Sequence, residues 1–340
     1  MLELDGSYGE GGGQILRTSL SLAALLGQPV KLVNIRAARP KPGLRPQHLT
    51  AVKALARISR AEVAGDELNS RELTFRPRLI QAGQYFFDVA EKTGSAGSVT
   101  LIAQALIPPL LRAAGPSTLI LRGGTHVPWS PPAHYLLKVF LPALARMGGE
   151  VKMSLERWGW YPRGGGEMRL EIIPGQALKG VEWRTPIPPE AFRAMSAVSR
   201  LPEHIIRRQA ERLKVRLGDT LPVDTLAAPG PDPGTLVFIW GPQAGFSALG
   251  ARGKPAEKVA DEAADAYLAF KQTRAGVDRH LADQMLLFLA QAGGPSHLVT
   301  EAISSHLLTN LWVIQQFLGP IFQVRGNLGE PGEILCQGRG

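Results

Sequence analysis

The chain has 340 residues, 44% of them hydrophobic, and its 38 lysines and arginines against 29 acidic residues give a formal net charge of +9. At roughly 100 to 200 residues per domain, this length predicts two or three domains with a large core. The single cysteine, Cys336, excludes an intramolecular disulfide framework and a cysteine-rich zinc site, while the basic balance favours a polyanionic partner, with nucleic acid first.

The N-terminal segment MLELDGSYGE is acidic and then glycine-rich, where a secretory signal is basic and then apolar. The most apolar run is interrupted by Gln104, Pro108, Pro109 and Arg112 before it reaches the roughly 18 residues that a membrane span needs. Together with the lone cysteine, which suits a reducing compartment, these features predict a cytoplasmic protein with no membrane segment.

The chain repeats one order of predicted elements three times. The first copy has an apolar helix stopped by Gly27, the strand PVKLVNI, and a second helix that His48 opens. The second copy has the helical run SVTLIAQALIPPLLRAAG, which ends at Gly115, the strand STLILRGG, and a helix that His134 opens. The third copy has LADQMLLFLAQAGG, the strand HLVTEA, and a helix that His306 opens.

Residues 178–274 break this repeat. They carry a strand AFRAMSAVS, a charged helix LPEHIIRRQAERLKVRL, a strand TLVFIWG and a long amphipathic helix PAEKVADEAADAYLAFKQT. The sequence therefore predicts an α/β (α+β) protein in which sheets pack against paired helices. We expect a repeat body of residues 1–177 and 275–340, with a small α/β domain of residues 178–274 inserted before the third copy.

The first candidate for chemistry is the glycine-rich loop GSYGEGGGQILR, residues 6–17. Glycines directly before a helix allow backbone N–H groups to approach a phosphate, and the helix N-terminus adds positive potential. The loop lacks the lysine and hydroxyl of a Walker motif. Glu10 would repel a phosphate unless a divalent cation lay between them, an arrangement that Mg²⁺ commonly adopts. A glycine turn with a solvated glutamate is the alternative.

The second candidate is the basic loop IRAARPKPGLRPQH, residues 35–48. Arginine guanidinium groups match phosphate oxygens, and the prolines stiffen the loop, so less entropy is lost when it binds an anion. Its polar residues are Arg36, Arg39, Lys41, Arg45, Gln47 and His48. A solvated basic loop with no ligand is the alternative.

The three histidines that open second helices form a third set: His48, His134 and His306. A helix N-terminus disfavours the imidazolium and leaves a neutral nitrogen that can attack phosphorus or act as a base. The pattern alone does not rank the three, and each could be a capping or packing residue. His306 has the most polar surroundings, formed by Ser304, Ser305, Thr309 and Asn310.

Three weaker signals remain. Gln104 interrupts the apolar run LIAQALIPPL, and a buried amide there needs a partner, which could be a ligand or the backbone. Asp283 and Gln284 in HLADQ could hold a ribose or a base edge, or could simply be a polar helix start. The aromatic segment WGWYPRGGGEMRL could stack bases, although a tight turn that leads into a strand explains it better.

Taken in order, GEGGGQILR, KPGLRPQHLTAVKAL, GSAGSVTLIAQALIP, GGTHVPWSPP, YPRGGGE, HLADQ and SSHLLTN resemble the RNA 3′-terminal phosphate cyclase family. The resemblance covers almost the whole chain and is weakest over residues 178–274. It implies three copies of a unit with two helices on a four-stranded sheet, plus a smaller inserted domain.

The resemblance also implies an activity. Family members use ATP to convert the 3′-phosphate of an RNA end into a 2′,3′-cyclic phosphate. A histidine attacks the α-phosphate of ATP and forms a histidyl-AMP intermediate, AMP passes to the RNA 3′-phosphate, and the 2′-hydroxyl then closes the ring. The expected partners are thus ATP, a divalent metal, Mg²⁺ or Mn²⁺, and an RNA with a 3′-phosphate end. The oligomeric state stays open.

The family's nucleophile falls on His306, and its metal-associated glutamate falls on Glu10. By the same resemblance, Arg17 and Arg36 are expected to assist catalysis by offsetting charge on the phosphoryl oxygens. The expected contacts to the substrate phosphate are Arg39, Gln47 and His48. The residues that match nucleotide-contacting positions are Gln104, Pro131, His280, Leu281, Ala282, Asp283 and Gln284.

The sequence departs from the family pattern at two positions. His280 stands where some relatives have a tyrosine, and Trp158 replaces a basic residue. Two other readings remain: a non-catalytic relative that binds RNA, and an enolpyruvyl-transferase-like enzyme built on similar repeats. Neither would form a covalent histidyl-nucleotide.

Overall fold

The structure is a computed structural model that describes residues 1–89 and 96–339. Gly94 and Ser95, the first two residues of the motif GSAGSVTLIAQALIP, lie outside the described residues. Four four-stranded sheets, all of them mixed, are packed with helices, which confirms the predicted α/β class. No helix in the described ranges is both long enough and apolar enough to cross a membrane.

The first unit is a sheet with two helices. Its elements are β1 (Leu2–Asp5), α1 (Gly13–Leu26), β2 (Val30–Val33), α2 (Pro46–Ser59), β3 (Glu62–Ala64) and β4 (Leu73–Arg76). The strand order is β1-β2-β4-β3, with β1 parallel to β2 and the other pairs antiparallel. Gly27 ends α1 in the left-handed conformation with φ 65°, as its position after the apolar run predicted.

The second unit has the same order and pairing pattern. Its elements are β5 (Gln84–Asp88), α3 (Val99–Leu110), β6 (Ser117–Gly123), α4 (Ala133–Tyr135), a π-helical turn (Leu136–Phe140), α5 (Leu141–Arg146), β7 (Glu150–Arg157) and β8 (Gly166–Ile173). The strand order is β5-β6-β8-β7. The first helix of this unit ends at Leu110 rather than at the predicted Gly115, and its last turn includes Pro108 and Pro109.

A two-residue strand and a separate sheet follow. The elements are β9 (Glu182–Trp183), a 3₁₀ turn (Pro189–Ala191), β10 (Arg193–Ser199), α6 (His204–Leu217), β11 (Val223–Ala227), β12 (Gly234–Gly241), β13 (Ala244–Leu249) and α7 (Ala256–Thr273). Strands β11-β10-β12-β13 form their own sheet, and α6 and α7 pack beside it around a second apolar core. The division of the chain at residues 178 and 274 stays a prediction.

The third unit completes the body. Its remaining elements are α8 (Arg279–Gln284), α9 (Leu286–Ala290), β14 (Ser296–Thr300), α10 (Ser305–Leu318), β15 (Phe322–Arg325) and β16 (Gly332–Cys336). The strand order is β9-β14-β16-β15, the same pattern as in the first two units. Strand β9 therefore pairs within the third sheet, although it falls inside the range 178–274 that the sequence predicted as the insert.

Helix α1 lies at the centre of the repeat body. It contacts α2, α3 and α10, so helices from all three units meet along it. Its buried side chains are mostly apolar, but Gln14, Thr18, Ser19 and Ser21 are also buried. Polar side chains in such a position need partners, and those of Gln14 and Thr18 lie in the site described next.

Candidate active site

A cleft of about 590 Å³ opens where the helices of the three units meet. Its walls come from the glycine-rich loop, the basic loop and the starts of α1, α2, α8 and α10, together with one side of α3. Twelve of the residues predicted from the sequence line it: Glu10, Arg17, Arg36, Arg39, Gln47, His48, Gln104, Pro131, His280, Asp283, Gln284 and His306.

His306 lies in the first turn of α10 between two carboxylates. Its Nε2 is 3.2 Å from Glu10 Oε2, and its Nδ1 is 3.5 Å from Asp283 Oδ2. The hydrogen bond with Asp283 and the charges of both carboxylates raise the pKa of His306 above its usual value, against the opposing effects of burial and Arg17. The carboxylates thus shift the pKa of His306 in the direction opposite to the lowering that a helix N-terminus alone would cause.

The orientation of Asp283 is fixed by amide groups. Asp283 Oδ1 accepts hydrogen bonds from Gln14 Nε2 at 2.9 Å and from Asn310 Nδ2 at 2.8 Å. Thr18 Oγ1 in turn donates to Asn310 Oδ1 at 2.5 Å, which fixes the direction of that amide. Since Oδ1 is occupied, Oδ2 is the oxygen that faces His306, and it favours the ring tautomer with the proton on Nδ1.

Gln14 and Thr18 belong to the candidate site, although the sequence analysis did not single them out. The available signal was their position: both are polar and lie on the apolar face of α1. Gln14 Nε2 also donates to the backbone oxygen of His306 at 3.0 Å. The first and third units are thus joined directly at the candidate site.

Glu10 projects from a loop whose glycines adopt left-handed backbone angles. Gly9 has φ 56° and Gly11 has φ 55°, conformations that other residues adopt at a steric cost. The hydroxyl of Ser305 donates to Glu10 Oε1, and Arg39 Nη2 lies 3.8 Å from Glu10 Oε2. The carboxylate is thus directed at His306 while one of its sides stays open to the cleft.

Cations and a neutral histidine line the opposite wall. Burial lowers the pKa of Arg17 to about 10, with Asp283 acting against this effect, so the guanidinium stays charged at neutral pH. Burial also lowers the pKa of Arg36, and the neighbouring charges of Arg39 and Arg45 lower it further. A concentration of positive charge that is only partly neutralised by Glu10 and Asp283 suits a polyphosphate.

His48 is buried and neutral. Its Nδ1 accepts a hydrogen bond from the backbone N–H of Arg45 at 3.1 Å. Burial holds its pKa well below the usual value, and the positive charges of Arg17 and Arg36 have the same effect. The ring proton is therefore on Nε2, which lies against Gly13 so closely that any side chain at residue 13 would overlap it. His48 is thus a neutral hydrogen-bond donor beside the start of α1.

Arg36 also shapes the basic loop. Its Nη1 donates to the backbone oxygens of Lys41 at 2.6 Å and Gly43 at 3.0 Å. Arg45 is directed elsewhere, because its Nη1 donates to Asn69 Oδ1 at 2.7 Å. Neither Lys41 nor Arg45 lines the cleft, so only part of the basic loop faces it.

The other end of the cleft is less charged. Gln104 Nε2 donates to Gln284 Oε1 at 2.6 Å, so the partner of this amide is a side chain rather than the backbone. The backbone oxygen of Pro131 accepts a hydrogen bond from Thr100 Oγ1 at 2.8 Å. The remaining lining residues include Leu101, Ala105, Pro108, Trp129, Arg279, His280, Leu287 and Phe288, and Arg279 is paired with Glu301.

A model of one protein family matches residues 8–324, and that family is the RNA 3′-terminal phosphate cyclases. The chain belongs to the RNA 3′-terminal phosphate cyclase family. It is 48% identical over 327 residues to an RNA 3′-terminal phosphate cyclase of Gloeothece citriformis, with 93% of each chain covered. It is 43% identical over 347 residues to one of Pyrococcus furiosus, with 98% of each chain covered.

Among solved structures, the chain is similar to the enolpyruvyl transferase NikO from Streptomyces tendae, with 11% identity and a TM-score of 0.40. That match covers 100% of this chain and 48% of the other.

Two residues that the cyclase resemblance placed at the nucleotide do not face the cleft. The side chains of Leu281 and Ala282 are fully buried in the apolar core. Helix α8 presents one side to the cleft, with His280, Asp283 and Gln284, and its other side to the core. A short amphipathic helix separates these residues in this way because neighbouring positions point in different directions.

A buried carboxylate holds α8 in place. Asp278 accepts hydrogen bonds from the backbone N–H groups of His280 at 2.7 Å and Leu281 at 2.8 Å, as a helix N-cap does. It also accepts from the N–H of Gly245 in β13 at 2.7 Å and from the hydroxyl of Tyr135 at 2.9 Å. One side chain therefore joins the second and third units to the sheet of the predicted insert.

The third candidate histidine lies outside the cleft. His134 is buried, and its Nδ1 lies 2.9 Å from Nε2 of His126, which in turn stacks on Trp158 at 4.2 Å. Burial lowers the pKa of His134 to about 4. Trp158 and Trp160 are each only 3% exposed. These two indoles are therefore too buried to stack on a base, whereas Tyr161 of the same segment is 66% exposed. The segment leads into β8, as the predicted tight turn into a strand requires.

Proposed function

We propose that this chain uses ATP to convert the 3′-phosphate of an RNA end into a 2′,3′-cyclic phosphate, and that it does so through a covalent bond between His306 and AMP. The observation that carries the proposal is the arrangement of His306 between Glu10 and Asp283 in a cleft whose other wall carries arginines. The names of the relatives support the overall reaction.

In the first step, Nε2 of His306 is the nucleophile. Asp283 accepts the Nδ1–H hydrogen bond and leaves the lone pair for Nε2. The attack requires the form of the ring with no proton on Nε2, and Glu10 Oε2 at 3.2 Å is the nearest carboxylate that can accept a proton from this nitrogen. The Nε2 lone pair then forms a bond to the α-phosphorus of ATP, the bond from that phosphorus to the bridging oxygen breaks, and pyrophosphate leaves.

The phosphate groups would lie against the basic wall. Arg17, Arg36 and Arg39 supply positive charge that offsets the charge on the phosphoryl oxygens. His48 donates from Nε2 without adding a charge. The first N–H groups of α1 have no side-chain cap, so this helix N-terminus can donate to an anion as well.

The nucleoside would occupy the opposite end. Gln104 and Gln284 hold each other in fixed positions, and both can present polar atoms to a base edge or a ribose. Pro131 and His280 offer flat surfaces to the adenine. An imidazole at residue 280 provides a smaller stacking surface than the tyrosine of some relatives.

Glu10 fits a metal ion that is shared with the substrate. Among residues 1–89 and 96–339, no group of three or more histidine, cysteine, aspartate or glutamate side chains could hold a metal by itself. Mg²⁺ commonly binds one or two carboxylates and completes its shell with phosphate oxygens and water, and Glu10 offers one open carboxylate beside the proposed phosphate site. A divalent cation bound there would neutralise phosphate charge during the transfer.

The second and third steps follow from the chemistry of an activated phosphate. An oxygen of the RNA 3′-phosphate attacks the phosphorus of histidyl-AMP, and the bond to His306 Nε2 breaks. The adjacent 2′-hydroxyl then attacks the activated 3′-phosphorus, loses its proton, and displaces AMP. Because this last attack is intramolecular, proximity supplies much of its rate.

The covalent step is tested with α-labelled ATP and Mg²⁺ or Mn²⁺. The wild-type protein should retain an acid-labile, base-stable label, and His306→Ala should abolish it. His204→Ala is the matched control, because His204 is exposed at the start of α6 and lies outside the cleft. Label that persists in His306→Ala would place the nucleophile elsewhere. A wild-type protein without label would instead favour a non-catalytic relative or a transferase of another class.

The RNA steps are tested with two oligonucleotides. An RNA with a 3′-phosphate should become resistant to phosphatase when it is incubated with the protein and ATP. The same RNA with a 2′-deoxyribose at its last nucleotide should stop as the adenylated 3′ end. Ring closure on the deoxy substrate would contradict the role of the 2′-hydroxyl.

A further inference from the structure

Trp129 is the most exposed large apolar side chain of the described residues, at 96%. It lines the cleft, two residues before Pro131. Its backbone is left-handed, with φ 58°, a conformation that is a genuine outlier for a bulky residue. A solvent-exposed tryptophan in a disfavoured conformation stabilises nothing in the protein that the structure describes around it.

The conformation is imposed by the loop on both sides of Trp129. Ser130 Oγ donates to the backbone oxygen of Val127 at 3.1 Å, and Thr100 Oγ1 donates to the backbone oxygen of Pro131 at 2.8 Å. The N–H of Ala133 donates to the oxygen of Thr125 at 2.8 Å. The loop is therefore anchored to α3, to Thr125 and to itself, and it holds the indole outward at the edge of the cleft. Strain of this kind is common where a side chain is positioned for a ligand.

We propose that Trp129 is a stacking platform for a nucleobase bound in the cleft. The inference rests on the proposed function, which brings two nucleobases to this site: the adenine of ATP and the base at the RNA 3′ end. Stacking on an indole does not depend on the identity of the base, because every base presents a π face. The platform also supplies the aromatic surface that His280 provides only in part.

The chemistry at this end of the cleft agrees with such a role. Leu101, Pro108 and Pro131 are apolar residues of the same lining, and the charged Arg279 beside His280 is paired with Glu301 at 3.0 Å. A base that covers the indole would remove exposed apolar surface of both partners from water. By the usual effect of removing one stacking aromatic, loss of the ring should weaken binding roughly 5- to 100-fold.

The test uses two variants at residue 129. Trp129→Asn removes the ring but keeps a residue that tolerates the left-handed backbone, and Trp129→Tyr keeps a stacking ring. Phe86→Ala is the control, because Phe86 is an aromatic residue that is 44% exposed on β5 and does not line the cleft. Binding of ATP, and separately of an RNA oligonucleotide with a 3′-phosphate, is measured by calorimetry, so that the result does not depend on turnover.

We expect Trp129→Asn to weaken the binding of one of these ligands at least 5-fold. The affinities of Trp129→Tyr should stay within about 3-fold of those of wild type, and Phe86→Ala should have no effect on binding. Weakened ATP binding identifies the base as adenine, and weakened RNA binding identifies it as the base of the RNA. Unchanged binding of both ligands would overturn the proposal. A fall in the thermal midpoint of Trp129→Asn would also overturn it, because it would show that the indole stabilises the fold by packing against the protein. Failure of the proposed function would appear separately, as a wild-type protein that gains no label from ATP.

Discussion

Replacement of Asp283 by asparagine should reverse the tautomer of His306. Gln14 and Asn310 both donate to Oδ1 of residue 283, so in Asp283→Asn this position must still be occupied by the amide oxygen. The amide NH₂ then faces His306 Nδ1, where the carboxylate oxygen Oδ2 lay. A ring that accepts at Nδ1 carries its proton on Nε2, and Nε2 then has no lone pair for the attack on phosphorus.

The size of the effect follows from the geometry. Attack by Nε2 places a positive charge on the imidazole, which Asp283 stabilises from 3.5 Å. At that distance a pair of unit charges interacts by about 5 kcal/mol at an effective dielectric constant of about 20, and by about 2.5 kcal/mol at twice that value. Because the His306 side chain is 47% exposed, we take the lower figure as the minimum. At about 1.4 kcal/mol per tenfold, the rate of label formation should fall roughly 50- to 3000-fold.

The assay is a single-turnover measurement of label transfer from α-labelled ATP, with wild type, Asp283→Asn and Asp283→Ala compared at saturating ATP. If the tautomer matters, Asp283→Asn should be as slow as Asp283→Ala or slower, although asparagine preserves the shape. Circular dichroism and the thermal midpoint show whether each variant is folded. Label formation by Asp283→Asn at the wild-type rate would refute the assignment of Asp283 as the residue that orients His306.

Three further predictions concern stability and pH. Because the folded protein raises the pKa of His306, the stability that this histidine adds should be complete below about pH 6.5 and lost as pH rises through the folded pKa. This contribution is measured in urea titrations as the unfolding free energy of wild type minus that of His306→Ala. Label formation should rise over the same pH interval. Gly13→Ala should displace His48, because the Nε2 atom of His48 overlaps any side chain added at residue 13. Label formation should fall at least tenfold, and the unfolding free energy from denaturant titration should fall by about 1–3 kcal/mol. Activity near that of wild type would contradict this prediction. Asp278→Asn should lower the unfolding free energy by about 2–4 kcal/mol, because a buried carboxylate that accepts from four donors loses its charge and gains a donor. The control is Asp224→Asn, since Asp224 is exposed. It should change the unfolding free energy by less than about 0.5 kcal/mol.

The sequence was most informative where one residue type permits one local structure. Glycines mark the left-handed positions of the loop around Glu10 and the end of α1 at Gly27, and serine before His306 marks the start of α10, where Ser304 Oγ accepts from the backbone N–H of Leu307. These signals depend only on neighbours in the chain, so a single sequence carries them.

The remaining features depend on contacts between distant segments. The pKa of His306 is raised by Asp283 and Glu10, and no local pattern around residue 306 contains them. The two residues of β9 are too few to show a strand pattern, and their membership of the third sheet comes from pairing with β14. Leu281 and Ala282 carry the same helix signal as their neighbours, but tertiary packing directs them to the core.

The links that hold the candidate site together join the two ends of the chain. Ser305 and Glu10 are 295 residues apart in sequence, Thr18 and Asn310 are 292 apart, and Gln14 and Asp283 are 269 apart. Contacts of such separation form slowly, because the entropy of closing the long loop is lost before the contacts can compensate for it. We therefore expect the candidate site to be completed late in folding, so that during refolding the ability to accept a label from ATP should return after the helices have formed and the sheets have paired.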